Sequence, residues 1–76
     1  MKHNATLRQQ VLTHLYADRE AAPRGGWVSL FDLRQALGEV EFALSVLEEL
    51  GHVRRDGNRY RITGHGVAAC EAGHGV

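Results

Sequence analysis

The sequence predicts one mainly helical α+β domain over residues 1–76, with three core helices, a short first strand, a two-stranded β-hairpin and room for a short closing helix. Two observations predict it. Apolar residues recur at three- and four-residue spacing in three separate segments, which is the period of amphipathic helices. Asp56-Gly57 then separates two stretches with the alternation of β-strands, which is the pattern of a tight hairpin.

The first helix is predicted over residues 5–17. Its apolar residues recur every three or four positions and so share one side: Leu7, Val11, Leu12 and Leu15. Either Asn4 or Thr6 can begin the helix, and Thr6 has Gln9 three residues later, which is the capping-box pattern. We therefore expect this helix to pack through a single apolar stripe.

A loop is predicted over residues 17–26, because Pro23 and two adjacent glycines interrupt any helical pattern there. Trp27 and Val28 follow as a brief extended segment. Trp27 is predicted to pack in the core near the base of the hairpin, and the alternative is an exposed binding residue.

Two short helices are predicted next. Ser29 can accept a hydrogen bond from a free N–H at the start of the second helix, which ends at Gly38. The third helix covers residues 39–50 and ends at Gly51. The inward residues are Leu30, Leu33 and Leu37 in the second helix and Val40, Leu44, Leu47 and Leu50 in the third. Because so few residues separate the two helices, they must cross at a steep angle.

The hairpin register follows from taking Asp56-Gly57 as a two-residue turn. This choice sets Val53 opposite Tyr60 and Arg54 opposite Arg59. Alternation then places Val53, Tyr60 and Ile62 on one face and His52, Arg54, Arg59 and Arg61 on the other. A three-residue loop would instead pair apolar with charged residues, so the two-residue turn is favoured.

The chain is predicted to close with a helix over residues 65–72 that Thr63 can cap, followed by a frayed tail over residues 72–76. No internal repeat is visible.

Nine basic residues balance nine acidic ones, so attraction to phosphate can come only from uneven placement of charge. The first ten residues lack the apolar core of a signal peptide, and no stretch approaches the length of a membrane span. The single cysteine fits a reducing compartment. We therefore expect a cytoplasmic protein.

The order of elements resembles the winged helix-turn-helix fold over nearly the whole chain, from Leu7 to about Ala72. The most specific stretch is VLEELGHVRRDGNRYRITGHGVAA, which is similar to the end of a recognition helix, the hairpin called the wing, and the start of a closing helix in small bacterial and archaeal transcription regulators.

The resemblance implies DNA binding in transcription regulation. In that family the third helix enters the major groove and the wing touches the neighbouring backbone or minor groove. Carried over, these roles fall on residues 39–49 and on the wing residues Arg54, Arg55, Asn58, Arg59 and Arg61. The resemblance also implies a homodimer as one option, since such domains commonly pair to read two half-sites.

Two features depart from the family pattern. The segment between Gly38 and Gly51 is about one turn shorter than in many relatives that read DNA. Its outward residues include four glutamates and no basic side chain: Glu39, Glu41, Phe42, Ser45, Glu48 and Glu49. One glutamate can accept from cytosine N4, but four carboxylates oppose phosphate.

Two interpretations of the wing arginines therefore stay open. They contact an anionic partner, or they form a solvated face that keeps an exposed sheet edge from pairing with another chain. The rival function is a protein-interaction module without DNA binding, in which the acidic face of the third helix binds a partner. Phe42 lies at the edge of the apolar arc and is either core or a contact residue in that module.

Cys70, with His65, His74 or His52, is the one group with metal-ligand chemistry. No CxxC or HxxxH pattern accompanies it, so a buried thiol is the simpler interpretation and we predict no metal or other cofactor. GVAACEA also gives Cys70 no electropositive pocket or base. We therefore expect no enzymatic activity.

Overall fold

The computed structural model describes the backbone of residues 3–74 and the side chains of residues 4–72. Within that range the chain is α+β and mainly helical. In order, the elements are α1 (His3–Ala21), β1 (Val28–Ser29), α2 (Leu30–Leu37), α3 (Glu41–Glu49), β2 (Val53–Asp56), β3 (Arg59–Ile62) and α4 (Gly64–His74). Among residues 3–74, no helix combines the length and apolarity that crossing a bilayer requires.

Helix α1 is longer than predicted at both ends. It begins at His3, so Asn4 and Thr6 lie within the helix and neither caps it. It continues to Ala21, so the predicted loop over residues 17–26 is wrong for its first five residues. Four of the five residues in ADREA are good helix formers, and the chain turns only where Pro23 removes a backbone donor.

The core lies between α1, α3 and one face of the sheet. Its largest fully buried side chains come from all of these elements and from α2 and α4: Val11, Leu15, Leu33, Val40, Leu44, Leu47, Ile62 and Cys70. Each aliphatic side chain of this kind contributes about 1.5–3 kcal/mol on burial. The predicted apolar stripe of α1 is confirmed, because Val11, Leu12 and Leu15 are buried.

The caps of α2 are confirmed. Ser29 Oγ accepts from the N–H of Asp32 at 3.0 Å. Gly38 ends the helix at a φ of 88°, a left-handed conformation that favours glycine.

Helix α3 is shorter than predicted, because it begins at Glu41 and not at residue 39. Gly51 follows its end with a φ of 80°, and its N–H donates to the Glu48 carbonyl at 3.0 Å, as a C-terminal glycine does. The prediction that Leu50 is buried is wrong, since it is 56% exposed. Leu50 caps the helix and lies past its last full turn.

The sheet is antiparallel with the order β1-β3-β2, so β3 is central. The predicted hairpin register is wrong by two residues. Val53 lies opposite Ile62 and Arg54 lies opposite Arg61, so the turn residues are Gly57 and Asn58. Gly57 has a φ of 63° and Asn58 has no positive φ, which is the φ pattern of a type II′ turn with glycine first.

A shift of two residues leaves each side chain on its predicted face, because strands alternate with a period of two. Val53, Tyr60 and Ile62 are accordingly buried together. The arginines predicted on the other face remain there, with Asp56 joining them at the turn.

Helix α4 is confirmed and extends past its predicted end at residue 72. Thr63 Oγ1 accepts from the N–H of Gly66 at 3.1 Å and donates to the Gly51 carbonyl at 2.5 Å. The backbone is helical to His74, and residues 75–76 of the predicted frayed tail lie outside the described range. The fully buried side chain of Cys70 anchors this helix.

Candidate functional site

The outer face of the hairpin carries three arginines, Arg54, Arg59 and Arg61, which we call the basic face. They lie on the side of β2 and β3 opposite the buried residues of those strands. Arg54 and Arg61 are direct cross-strand partners. Like charges placed directly opposite destabilise a sheet, so this pairing has a cost that an anion would relieve.

Arg59 is held by two neighbours. Its guanidinium donates to Asp56 Oδ2 at 3.1 Å, and its central carbon lies 5.3 Å from the centre of the Trp27 ring. Trp27 is half-buried, so the prediction that it lies in the core is wrong. The residue flanks β1 on the outer side of the sheet and supports Arg59 by a cation–π contact.

Arg61 and Arg54 differ in how firmly they are held. Arg61 donates through Nη2 to the Pro23 carbonyl at 3.0 Å. Its Nε is buried and has no hydrogen-bond partner among the described residues. Arg54 is exposed, and within residues 4–72 its side chain makes no hydrogen bond or ion pair. Both therefore keep N–H donors for an external acceptor.

The structure separates Arg55 and Asn58 from the other predicted wing residues. Arg55 lies opposite Tyr60, which puts it on the other face, and its Nε donates to the Gly57 carbonyl at 3.2 Å. Asn58 lies in the turn, where its carbonyl accepts from the N–H of Leu30 at 2.7 Å. Asn58 thus joins the hairpin to α2.

Arg19 is a site residue that sequence reasoning missed. It extends from α1, and its Nη1 donates to the Ile62 carbonyl at 3.0 Å, which places its charge beside the base of the basic face. The sequence carried no signal for this, because Arg19 lies 43 residues from Ile62 in a segment predicted as loop.

The outward side of α3 is acidic, as predicted, and we call it the acidic face. Its members are all exposed: Glu41, Phe42, Ser45, Glu48 and Glu49 in the helix, and Glu39 two residues before it. Arg34 of α2 neutralises one of them through a 3.1 Å ion pair with Glu41, a partner that the sequence analysis did not identify.

Two aromatic rings, one on α2 and one on α3, are exposed. Phe42 is 63% exposed and Phe31 of α2 is 67% exposed. Of the two alternatives left open for Phe42, burial in the core is therefore wrong. Exposed aromatics beside charged residues are common at protein contacts.

The apolar sides of α3 and the hairpin pack into one core, which contains Leu44, Leu47, Val53, Tyr60 and Ile62. The acidic face and the basic face are the outer sides of these two packed elements. They lie on different elements and meet at one groove, which Glu48 and Arg54 line together.

Cys70 is fully buried and His65 is exposed, so the two do not form a site. His74 has its side chain outside the described range. Across the part of the chain whose side chains are described, no group of three or more His, Cys, Asp or Glu residues is arranged to hold a metal ion.

Comparison with known proteins gives no further identification: no family model, no curated protein and no solved structure significantly matches this chain.

Proposed function

We propose that this protein is a winged-helix DNA-binding protein that acts in transcription regulation and grips duplex phosphates with the basic face. The observation that carries the proposal is the segregation of charge. Three arginines share one side of the hairpin, while the carboxylates of α3 lie on the exposed side of a different element.

Charge arithmetic favours this orientation over insertion of α3 into a groove. One charge pair at 4 Å is worth about 1 kcal/mol in water and about 4 kcal/mol at an effective dielectric of 20. Arg34 pairs with one of the four glutamates of the acidic face, and Asp56 pairs with one of the three arginines of the basic face. The three remaining glutamates would cancel the gain from the two remaining arginines if both surfaces met phosphate. Contact through the basic face alone keeps the gain.

The order of elements supports the same proposal. A helix, a short strand, two helices and a hairpin precede α4, and the short strand pairs with β3 of the hairpin. That arrangement is compatible with a winged-helix domain. Helix α3 has nine residues, which gives it little length to project into a groove and leaves the hairpin as the principal contact.

An amide titration tests the proposal. Isotopically labelled protein receives a short mixed-sequence duplex at low salt. We expect shifts at residues 54–61 that disappear as salt is added, because exposed phosphate contacts are screened and release counterions. Unchanged spectra at low salt would reject DNA binding. Sedimentation of the same sample decides whether one or two copies bind.

A second candidate is a protein-interaction module that uses the acidic face, and the exposure of Phe42 favours it. A basic, partly apolar partner surface would fit this face. Phe42→Ala should then weaken partner binding without changing the melting temperature, whereas Arg54→Gln should leave partner binding unchanged. Equal affinity of the Phe42→Ala variant and the unmodified protein for that partner would reject this candidate.

A further inference from the structure

A small pocket of about 160 Å³ lies at the base of the hairpin. Three arginines from three elements line it: Arg19 of α1, Arg54 of β2 and Arg61 of β3. The rest of its wall comes from Ile62, Thr63 and Gly64. Among the residues that the structure describes, no carboxylate is part of this wall. Three positive charges thus surround one cavity without a counter-charge in its lining.

Two of these arginines are held in place by the main chain. Arg19 donates to the Ile62 carbonyl and Arg61 donates to the Pro23 carbonyl, each at 3.0 Å. A guanidinium has five N–H donors in a fixed plane, so one such bond orients the group and leaves other donors available. The lining is therefore ordered before any ligand arrives, which lowers the entropy cost of binding.

The buried Nε of Arg61 is a donor without an acceptor. Buried polar groups in folded proteins nearly always have a partner, and a charged donor without one is costly. An anion within the pocket would supply that acceptor once the guanidinium turned toward it, since the Nε has no solvent contact in its present position.

The end of the pocket at Thr63 and Gly64 is also the start of α4. The first N–H groups of a helix have no acceptor within the helix and carry partial positive charge. Here Thr63 Oγ1 accepts a hydrogen bond from the N–H of Gly66. The N–H groups of Gly64 and His65 come before the first hydrogen bond within the helix. Of these two residues only Gly64 lines the pocket, so the start of the helix adds one backbone donor to the arginine cluster.

We propose that this pocket binds one phosphate group through Arg19, Arg54 and Arg61. Guanidinium groups pair with tetrahedral oxyanions by multiple hydrogen bonds, and three positive charges attract both a free phosphate dianion and the single charge of a phosphodiester. The volume is well below the roughly 300–1,000 Å³ of sites for drug-sized ligands, so the pocket encloses the phosphate group alone. The group belongs either to a small free anion or to a nucleic-acid backbone, and the inference holds whether or not the protein binds DNA.

The test is a titration of the full chain with inorganic phosphate, with sodium chloride adjusted to keep the ionic strength constant. We expect saturable shifts of the Gly64 and His65 amides and of the Arg61 Nε–H signal. Arg54→Gln should weaken phosphate binding by about tenfold, the loss of one charge-assisted hydrogen bond. Its exposed side chain makes no bond within residues 4–72, so the fold should survive. Arg24→Gln, an exposed arginine outside the pocket lining, is the matched control and should bind phosphate normally.

Absence of saturation, equal shifts with chloride, or equal affinity of the Arg54→Gln and Arg24→Gln variants would overturn the proposal. A competition experiment then identifies which molecule supplies the bound phosphate group. If a duplex displaces phosphate, the site receives a backbone phosphate; if phosphate remains bound beside a duplex, or no duplex binds at all, the ligand is a free anion. The phosphate site can thus stand when DNA binding fails, and DNA binding can stand when the site fails.

Discussion

The guanidinium carbon of Arg59 lies 5.3 Å from the centre of the Trp27 ring. This contact joins the residue before β1 to the central strand β3 on the outer side of the sheet. It puts an aromatic reporter directly beneath one of the three arginines of the basic face.

Trp27 fluorescence should therefore report DNA binding, since it is the only tryptophan in the chain. When Arg59 turns toward a phosphate, its cation–π contact weakens and the emission changes, and added salt should reverse the change. Arg59→Gln should remove most of the response, while Arg24→Gln should keep it. An emission spectrum that stays constant while the duplex is demonstrably bound would contradict this role for Arg59.

The start of α4 gives a matched pair of glycine substitutions. A Cβ on Gly66 would collide with the His52 carbonyl and with the side chain of Ile62, whereas one on Gly64 would meet nothing within 4 Å. We expect Gly66→Ala to destabilise the protein by about 1–3 kcal/mol. Gly64→Ala should be neutral or stabilising by up to about 1 kcal/mol.

Urea unfolding of the two glycine variants measures both effects. Equal midpoints would mean that α4 does not pack against the hairpin as described.

Two leucines, one within α3 and one that caps it, should behave differently. Leu44 is 1% exposed and Leu50 is 56% exposed. Leu44→Ala should cost about 2–5 kcal/mol because it opens a cavity in the core. Leu50→Ala should change the free energy of unfolding by less than about 0.5 kcal/mol. Thermal or chemical unfolding distinguishes them, and a large loss for Leu50→Ala would place that residue in the core after all.

Tyr16 should titrate above its ordinary pKa of 10.0, because its hydroxyl donates to the Glu71 carboxylate, with smaller effects of desolvation and nearby charge. The donor–acceptor distance is 2.8 Å. Since folding raises this pKa, the bond stabilises the fold fully below pH 10 and loses that effect as the pH rises through the folded-state pKa.

The ring ¹³Cζ shift of Tyr16 against pH tests this bond. Glu71→Ala should bring the midpoint back toward the ordinary value, and Glu48→Ala, which removes a carboxylate that does not contribute to this shift, should leave it raised. The same midpoint in the Glu71→Ala variant and the unmodified protein would show that the bond does not control the titration.

Much of the fold was predictable because local patterns agreed with it. The apolar spacing of α1 and α3, the Ser29 cap, and Gly38 and Gly51 at helix ends each act within a few residues. The predicted turn at Asp56-Gly57 and the observed turn at Gly57-Asn58 give strand pairings that differ by two residues. Because strand side chains alternate with a period of two, this error left every side chain on its predicted face.

The remaining features depend on contacts between distant parts of the chain. Arg19 reaches the hairpin only because α1 runs on to Ala21 and packs against β3. The Arg34–Glu41 ion pair depends on the angle between α2 and α3. Phe42 lies where helical geometry alone permits either burial or exposure, and only the packed core decides between them.

The salt dependence of duplex affinity tests the central claim most directly. If Arg54, Arg59 and Arg61 each contact a phosphate, the logarithm of the association constant should fall with the logarithm of salt concentration at a slope of about −3. Replacing all three by glutamine, with the fold verified by amide spectra, should abolish binding. Duplex affinity and slope that survive this triple replacement, or no duplex binding by the unmodified protein at low salt, would contradict the claim.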